Sequence, residues 1–169
     1  WRDRETKRAA SRRVFFLLAD AVSTLPVSVS LFTANADGKG LVAANVVRVR
    51  NGVRTDEALA QFDPLTKQFV AVPIAPGLPG DRVWLEIYCT GLRHSSDENF
   101  DSNLNDNIVV ALGGKVVTPN YAGRHAFFVG LDQINLEIPA TLFGRGKINL
   151  AAQGSKGVSG VNVYNTPIS

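Results

Sequence analysis

The chain has 169 residues, 45% hydrophobic and 20% charged, which is one domain's worth of sequence with enough apolar content for a core and excludes disorder as the default. The formal net charge of +3 is unevenly spread: residues 1–13 carry six bases against two acids, and residues 14–169 carry twelve bases against thirteen acids. The chain therefore reads as a near-neutral body with a basic N-terminal arm, not as a basic protein built for nucleic acid.

The arm changes character at residue 14. Val14, Phe15, Phe16, Leu17 and Leu18 form an undiluted apolar block behind the basic run and outside any alternating pattern. Each such side chain contributes roughly 1.5–3 kcal/mol when buried, so the block is expected to bury, in its own domain or in a neighbour's. The longest apolar stretch, residues 14–19, ends at Asp20 and is too short to span a bilayer. Ser11-Arg12-Arg13-Val14-Phe15-Phe16 has the look of a twin-arginine export signal but lacks a long apolar region behind it. The chain contains no methionine and reads as a processed or truncated product.

From about Val27 the pattern is β. Val27, Val29 and Leu31 alternate with Ser28, Ser30 and Phe32, and the turn-rich 35–40 follows. Residues 41–50 form a strand closed by Asn51-Gly52, the strongest short hairpin signal. Asp63-Pro64-Leu65-Thr66-Lys67 is a second turn between apolar flanks, and 73–80, with three prolines and two glycines, reads as a rigid crossing between sheets. Residues 82–90 carry large apolar side chains on both faces and predict a central strand buried on both sides. Strands are also expected at 108–112 and 115–117 about Gly113-Gly114, then at 127–129, 134–138, 147–150 and 158–163. Ile134, Leu136 and Ile138 face one way, Asn135 and Glu137 the other, and Pro139 stops that strand. About ten short strands at 8–12-residue spacing predict an all-β, antiparallel sandwich.

Candidate chemistry is sparse. A lone Cys89 within an apolar run excludes an intrachain disulfide and reads as a buried structural thiol. His94 and His125 are too few for a Cys/His metal cluster, and no serine sits in a G-x-S-x-G elbow. The polar loop 95–107 has oxygen ligands at alternate positions. Started at Asp97 it fails as an EF-hand, with Ser102 where Gly is needed and Ile108 where Glu is needed. Glu86 and Glu137 fit the polar faces of alternating strands, not a glycosidase pair. No cofactor, metal or catalytic residue is assigned.

Several motifs in order carry a resemblance. They are the run 31–40 (LFTANADGKG), 69–74 (FVAVPI), 84–93 (WLEIYCTGLR), 128–139 (FVGLDQINLEIP) and 144–150 (GRGKINL). Together residues 31–169 resemble an uncharacterised Ig-like domain found at the C-terminus of secreted proteins of acidobacteria and related environmental bacteria. The resemblance implies a secreted or cell-surface Ig-like β-sandwich without an assigned enzyme activity. The 95–107 loop is longer than the family's usual one, and the domain ordinarily trails larger modules.

The expectation is a domain at 31–169 behind an arm at 1–30, forming a non-catalytic extracellular or cell-surface structural subunit. It self-assembles, into a filament, with Val14, Phe15, Phe16, Leu17 and Leu18 packing on or adding a strand to a neighbouring copy. The expected partners are copies of itself, with no nucleic acid and no membrane span. The alternative is an adhesion or glycan-binding module using turns near Trp84 or the 95–107 loop, with a surface glycan as partner.

Overall fold

The computed structural model describes residues 29–92, 103–105 and 108–153, together with the backbone of 162–168. Twelve strands run through these residues, all antiparallel where they pair. The sandwich takes in Val29 and Ser30, just ahead of the sequence boundary at 31: Val29 is in the core and Ser30 opens the first strand.

The larger sheet is built on β6 (Arg82–Thr90), whose period-2 pattern buries Val83, Leu85, Ile87 and Cys89 and turns Trp84, Glu86 and Tyr88 outward. The strand is central, as its sequence predicts, but only one face is sealed: the large residues of the outer face are half-buried, and among the described residues no layer covers them. β10 (Asp132–Glu137) pairs along one edge, with Ile134 opposite Ile87 and Leu136 opposite Leu85. β9 (Tyr121–Arg124) pairs beyond it. The other edge is shared. β2 (Ala44–Arg50) covers residues 82–87, β1 (Ser30–Leu31) covers 89–90, and β3 (Val53–Ala58) lies outside β2.

β1 and β2 are thus two pieces of one edge, separated by an excursion. Thr33 bridges Val42, Thr33 Oγ1 donates to Asp37 Oδ1 (3.1 Å), and the Lys39 N–H donates to Asp37 Oδ1 (2.9 Å). The turn-rich 35–40 is the tip of that excursion.

The smaller sheet has the order β12-β11-β7-β8, from β12 (Asn162–Ile168), β11 (Gly146–Gln153), β7 (Val109–Leu112) and β8 (Lys115–Val117). Its inward residues Val110, Leu112, Ile148, Leu150 and Ala152 share one apolar cluster with Leu85, Ile87, Ile134 and Leu136. Two antiparallel sheets closing on one core define a sandwich-like, all-β architecture. The chain passes between the sheets after β6, after β8, and after β10, where Pro139 ends the strand and Ala140–Leu142 makes one 3₁₀ turn.

The turns follow their sequence signals. Asn51 (φ 49°) and Gly52 (φ 78°) join β2 to β3, and Gly113 (φ 58°) and Gly114 (φ 79°) join β7 to β8, both with the paired positive φ of a type I′ hairpin. β4 (Ala60–Asp63) and β5 (Gln68–Ala71) form a separate hairpin, with Asp63 accepting from the Leu65 N–H (2.9 Å) and the Thr66 hydroxyl (2.8 Å). The Pro/Gly segment 73–80 leads from that two-stranded sheet into β6, so it does cross between sheets, from the small hairpin to the larger sheet. Two expectations change. Residues 127–129 form no strand, because β10 begins only at Asp132 and leaves them no partner, while 121–124 pair instead. Of the strand expected at 158–163, residues 158–161 lie outside the described residues.

The Pro/Gly segment is fixed by one buried cation. Arg48 stands in line with Val46 on the inner side of β2 and is 8% exposed. Its guanidinium bonds both oxygens of Glu57 on β3 and donates to the carbonyls of Ala75 (2.9 Å) and Pro76 (3.3 Å). Asp81 lies 3.6 Å away and is itself gripped by Arg50 through two hydrogen bonds of 2.8 and 2.6 Å. A planar fork of five N–H donors can serve this many acceptors at once, whereas an ammonium cannot. Gly77, at φ 82°, passes so close that a Cβ would lie 2.3 Å from both Arg48 Nη1 and Asp81 Oδ2.

Arg48→Met should therefore lower stability by about 2–3 kcal/mol, since two carbonyls and a carboxylate lose their buried donor. Arg48→Lys should restore little of it. Gly77→Ala should also destabilise, by more than the roughly 1 kcal/mol of left-handed strain alone. Urea titration reads all three.

The hydrogen bonds from Arg50, reinforced by the Leu78 N–H, hold the Asp81 carboxyl below its ordinary value of 3.8. A depressed folded value means that Asp81 stabilises fully above the ordinary value and that this contribution fades as the pH falls below it. Asp81→Asn should flatten the acid side of the stability–pH curve between about pH 5 and 2 and leave its slope near neutrality unchanged.

Candidate functional site

Among the described residues there is no group of three His, Cys, Asp or Glu side chains arranged to hold a metal ion. His94 and most of the 95–107 loop lie outside the described residues. At the loop's end, Asn103 Oδ1 accepts from the N–H groups of Asn105 (3.2 Å) and Ala122 (2.9 Å), and Asn103 Nδ2 donates to the Asn120 carbonyl (3.1 Å). This asparagine ties the loop to β9 and sets the position of Asn120.

Cys89 is fully buried on the inner face of β6, and desolvation pushes its thiol far above the ordinary range. A thiol held protonated inside a core is inert. It should resist a thiol-exchange dye in the folded protein and react stoichiometrically in denaturant, and prompt reaction under native conditions would contradict this burial.

The two strand glutamates are partners of arginines. Glu137 receives two hydrogen bonds from Arg82 (2.9 and 2.6 Å), which hold its carboxyl below the ordinary value. Glu86 lies 3.0 Å from the Arg54 guanidinium. The Arg82 guanidinium also stacks over the Trp84 ring, 4.7 Å from its centroid.

His125 organises a loop. Its Nδ1 accepts from the N–H groups of Phe127 (3.1 Å) and Phe128 (3.2 Å), and its ring packs on Phe128 with centroids 4.9 Å apart and on Tyr88 at 5.9 Å. The result is an ordered β9–β10 tip that presents Phe127, Phe128 and Val129 at 87%, 64% and 100% exposure. Among the described residues these three adjacent apolar side chains are left uncovered, a feature that commonly accompanies contact sites. The sequence reading placed these residues in a strand. The pairing of β10 from Asp132 onward is what leaves them as a tip.

A second feature lies on the outer face of the larger sheet, where a shallow depression of about 210 Å³ opens over Val47 and Val49 between Trp84 and Tyr121. Arg54, Glu86, Asn120 and Asn135 supply its polar groups. Asn135 sits directly between Glu86 and Tyr121 in the strand register, so three strands bring these side chains into one row. Sequence reasoning pointed to the neighbourhood of Trp84 but not to Tyr121, Asn120 or Asn135, which are adjacent to it only through pairing across the sheet.

Val14, Phe15, Phe16, Leu17 and Leu18, the expected interface residues, lie outside the described residues. β1 runs antiparallel to β6 with Ser30 opposite Thr90, and β10 starts with Asp132 opposite Cys89. Val29, the first described residue, therefore lies at the end of the sheet that carries the apolar tip.

The fold defines an all-β module of two antiparallel sheets around one core. Comparison with protein-family models, with curated proteins and with solved structures finds no match to this chain. Among the described residues no helix is long and apolar enough to cross a membrane.

Proposed function

We propose that the chain is a non-catalytic, extracellular structural subunit that self-assembles by seating the apolar block Val14–Leu18 of one copy against the β9–β10 tip of the next. The observation that carries the reading is the tip: Phe127, Phe128 and Val129 are exposed yet held in place by His125. The tip is uncovered among the described residues and the block is an apolar run in the sequence, and burying one on the other would remove both from water. Residues 1–28 can reach roughly 90 Å when extended, ample to span from one copy to another.

Packing at the tip fits better than strand addition at β3. That edge strand is short and carries Arg54, Asp56 and Glu57, the kind of charged edge that resists pairing with another chain. A contact joining the arm of one copy to the tip of another is head-to-tail, and such contacts continue into open chains unless their geometry closes a ring.

The full chain should form polymers visible by negative-stain microscopy and sedimentation velocity. Replacing Phe127, Phe128 and Val129 together by Ser, or Phe15, Phe16 and Leu17 together by Ser, should each yield monomers with an unchanged melting temperature. A monomeric wild type, with the block covering its own tip, or a tip variant that still polymerises, would rule the reading out.

A further inference from the structure

The outer-face depression has a chemistry of its own, and it lies away from the apolar tip. Its floor is Val47 and Val49, and its flanks are the rings of Trp84 and Tyr121. Among the described residues, the Asn120 side-chain amide makes no hydrogen bond, and Asn135 uses only its Oδ1, which accepts from Gln133 Nε2 at 2.6 Å. Unengaged amide donors and acceptors therefore face an aromatic and aliphatic surface. The charges around them are engaged with one another, two arginines against three carboxylates. Arg54 is shared between Asp56 (2.8 Å) and Glu86 (3.0 Å), and Arg82 is matched by Glu137 (2.6 Å).

That pairing bears on the ligand. Among the described residues an anion would meet Glu86 and Asp56 with no unmatched cation to receive it, and a cation would have to compete with Arg54 for the same two carboxylates. A wholly apolar ligand would cover the two asparagine amides and strip them of water, at a cost of roughly 1–3 kcal/mol each. A neutral ring with hydroxyl groups at its rim and C–H groups on its face satisfies every surface: hydroxyls exchange hydrogen bonds with the amides and Glu86, and the C–H face lies on the aromatic rings. The volume, about 210 Å³, is below that of typical enclosed ligand sites and suits one unit of a longer chain lying across the sheet.

We infer that the outer face of the larger sheet, around Trp84, Tyr121, Asn120 and Asn135, is a binding site for a neutral saccharide chain. The arrangement uses no residue of the apolar tip, so it stands whether or not the chain polymerises.

The test uses the full chain with neutral hexasaccharides (cello-, xylo-, manno- and laminari-oligomers) and two charged controls, oligogalacturonate and chitosan hexamer. Binding is read by calorimetry and by indole fluorescence. At least one neutral oligomer should bind and shift the emission. Trp84→Ala and the double variant Asn120→Ala/Asn135→Ala should each weaken it tenfold or more. The double variant removes only side-chain amides at the surface, so it keeps the test decisive if loss of Trp84 disturbs folding. The inference is overturned if no neutral oligomer binds, if the charged controls bind more tightly, or if the double variant binds as the wild type does.

Discussion

The fold is registered on β6. Nine residues with one face sealed into the core and both edges hydrogen-bonded leave no freedom for slippage, because a shift of one residue would expose Leu85 and Ile87 and bury Glu86. β10 copies that alternation on one side, β2 and β1 on the other, and the smaller sheet then closes over the row that β6 presents. The outer row is fixed by the same register. Trp84, Glu86 and Tyr88 face outward because Leu85 and Ile87 face inward, so the surface chemistry of the larger sheet is a by-product of the rule that builds the core.

Much of this was legible in the chain itself. The apolar run at 82–90, the alternation in 134–138, the Asn-Gly and Gly-Gly turns, and the Asp-Pro turn at 63–67 are local signals, and each forms the strand or turn that its residues favour. Residues 82–90 predict burial on both sides, yet the outer face is only half-buried. What escaped was set by pairing. β3 reads as polar surface because both its faces are exposed or nearly so, and its partner β2 supplies the reason it is a strand. β9 is four residues long and contains a glycine, too little pattern to register alone. Phe127 to Val129 have the composition of a strand and lack only a neighbour to bond. In each case the missing information was non-local: which segment lies beside which.

The candidate sites divide along the same line. Buried Cys89 and the outward glutamates follow from position within one strand. The tip and the depression exist only because strands distant in sequence converge, Tyr88 beside His125 and Trp84 lining one depression with Asn135 and Tyr121. Arg48 shows the same dependence within the core. Its sequence context, alternating with Val47 and Val49, suggests a surface side chain, yet the carbonyls of Ala75 and Pro76 make burial tolerable by giving its donors somewhere to go.

The divided edge of β6 has a mechanical meaning. Tension applied to the chain ahead of Val29 falls first on β1, which holds Thr90 and Cys89 with two residues, while β2 grips six positions further along. The short piece does not stand alone, because the Phe32 N–H donates to the Tyr88 carbonyl, Thr33 bridges Val42, and Val29, Leu31 and Val42 sit in the core beside Leu85, Ile87 and Cys89. Pulling β1 away would therefore open the sealed face of β6, so load on the N-terminal segment would be felt by the core itself.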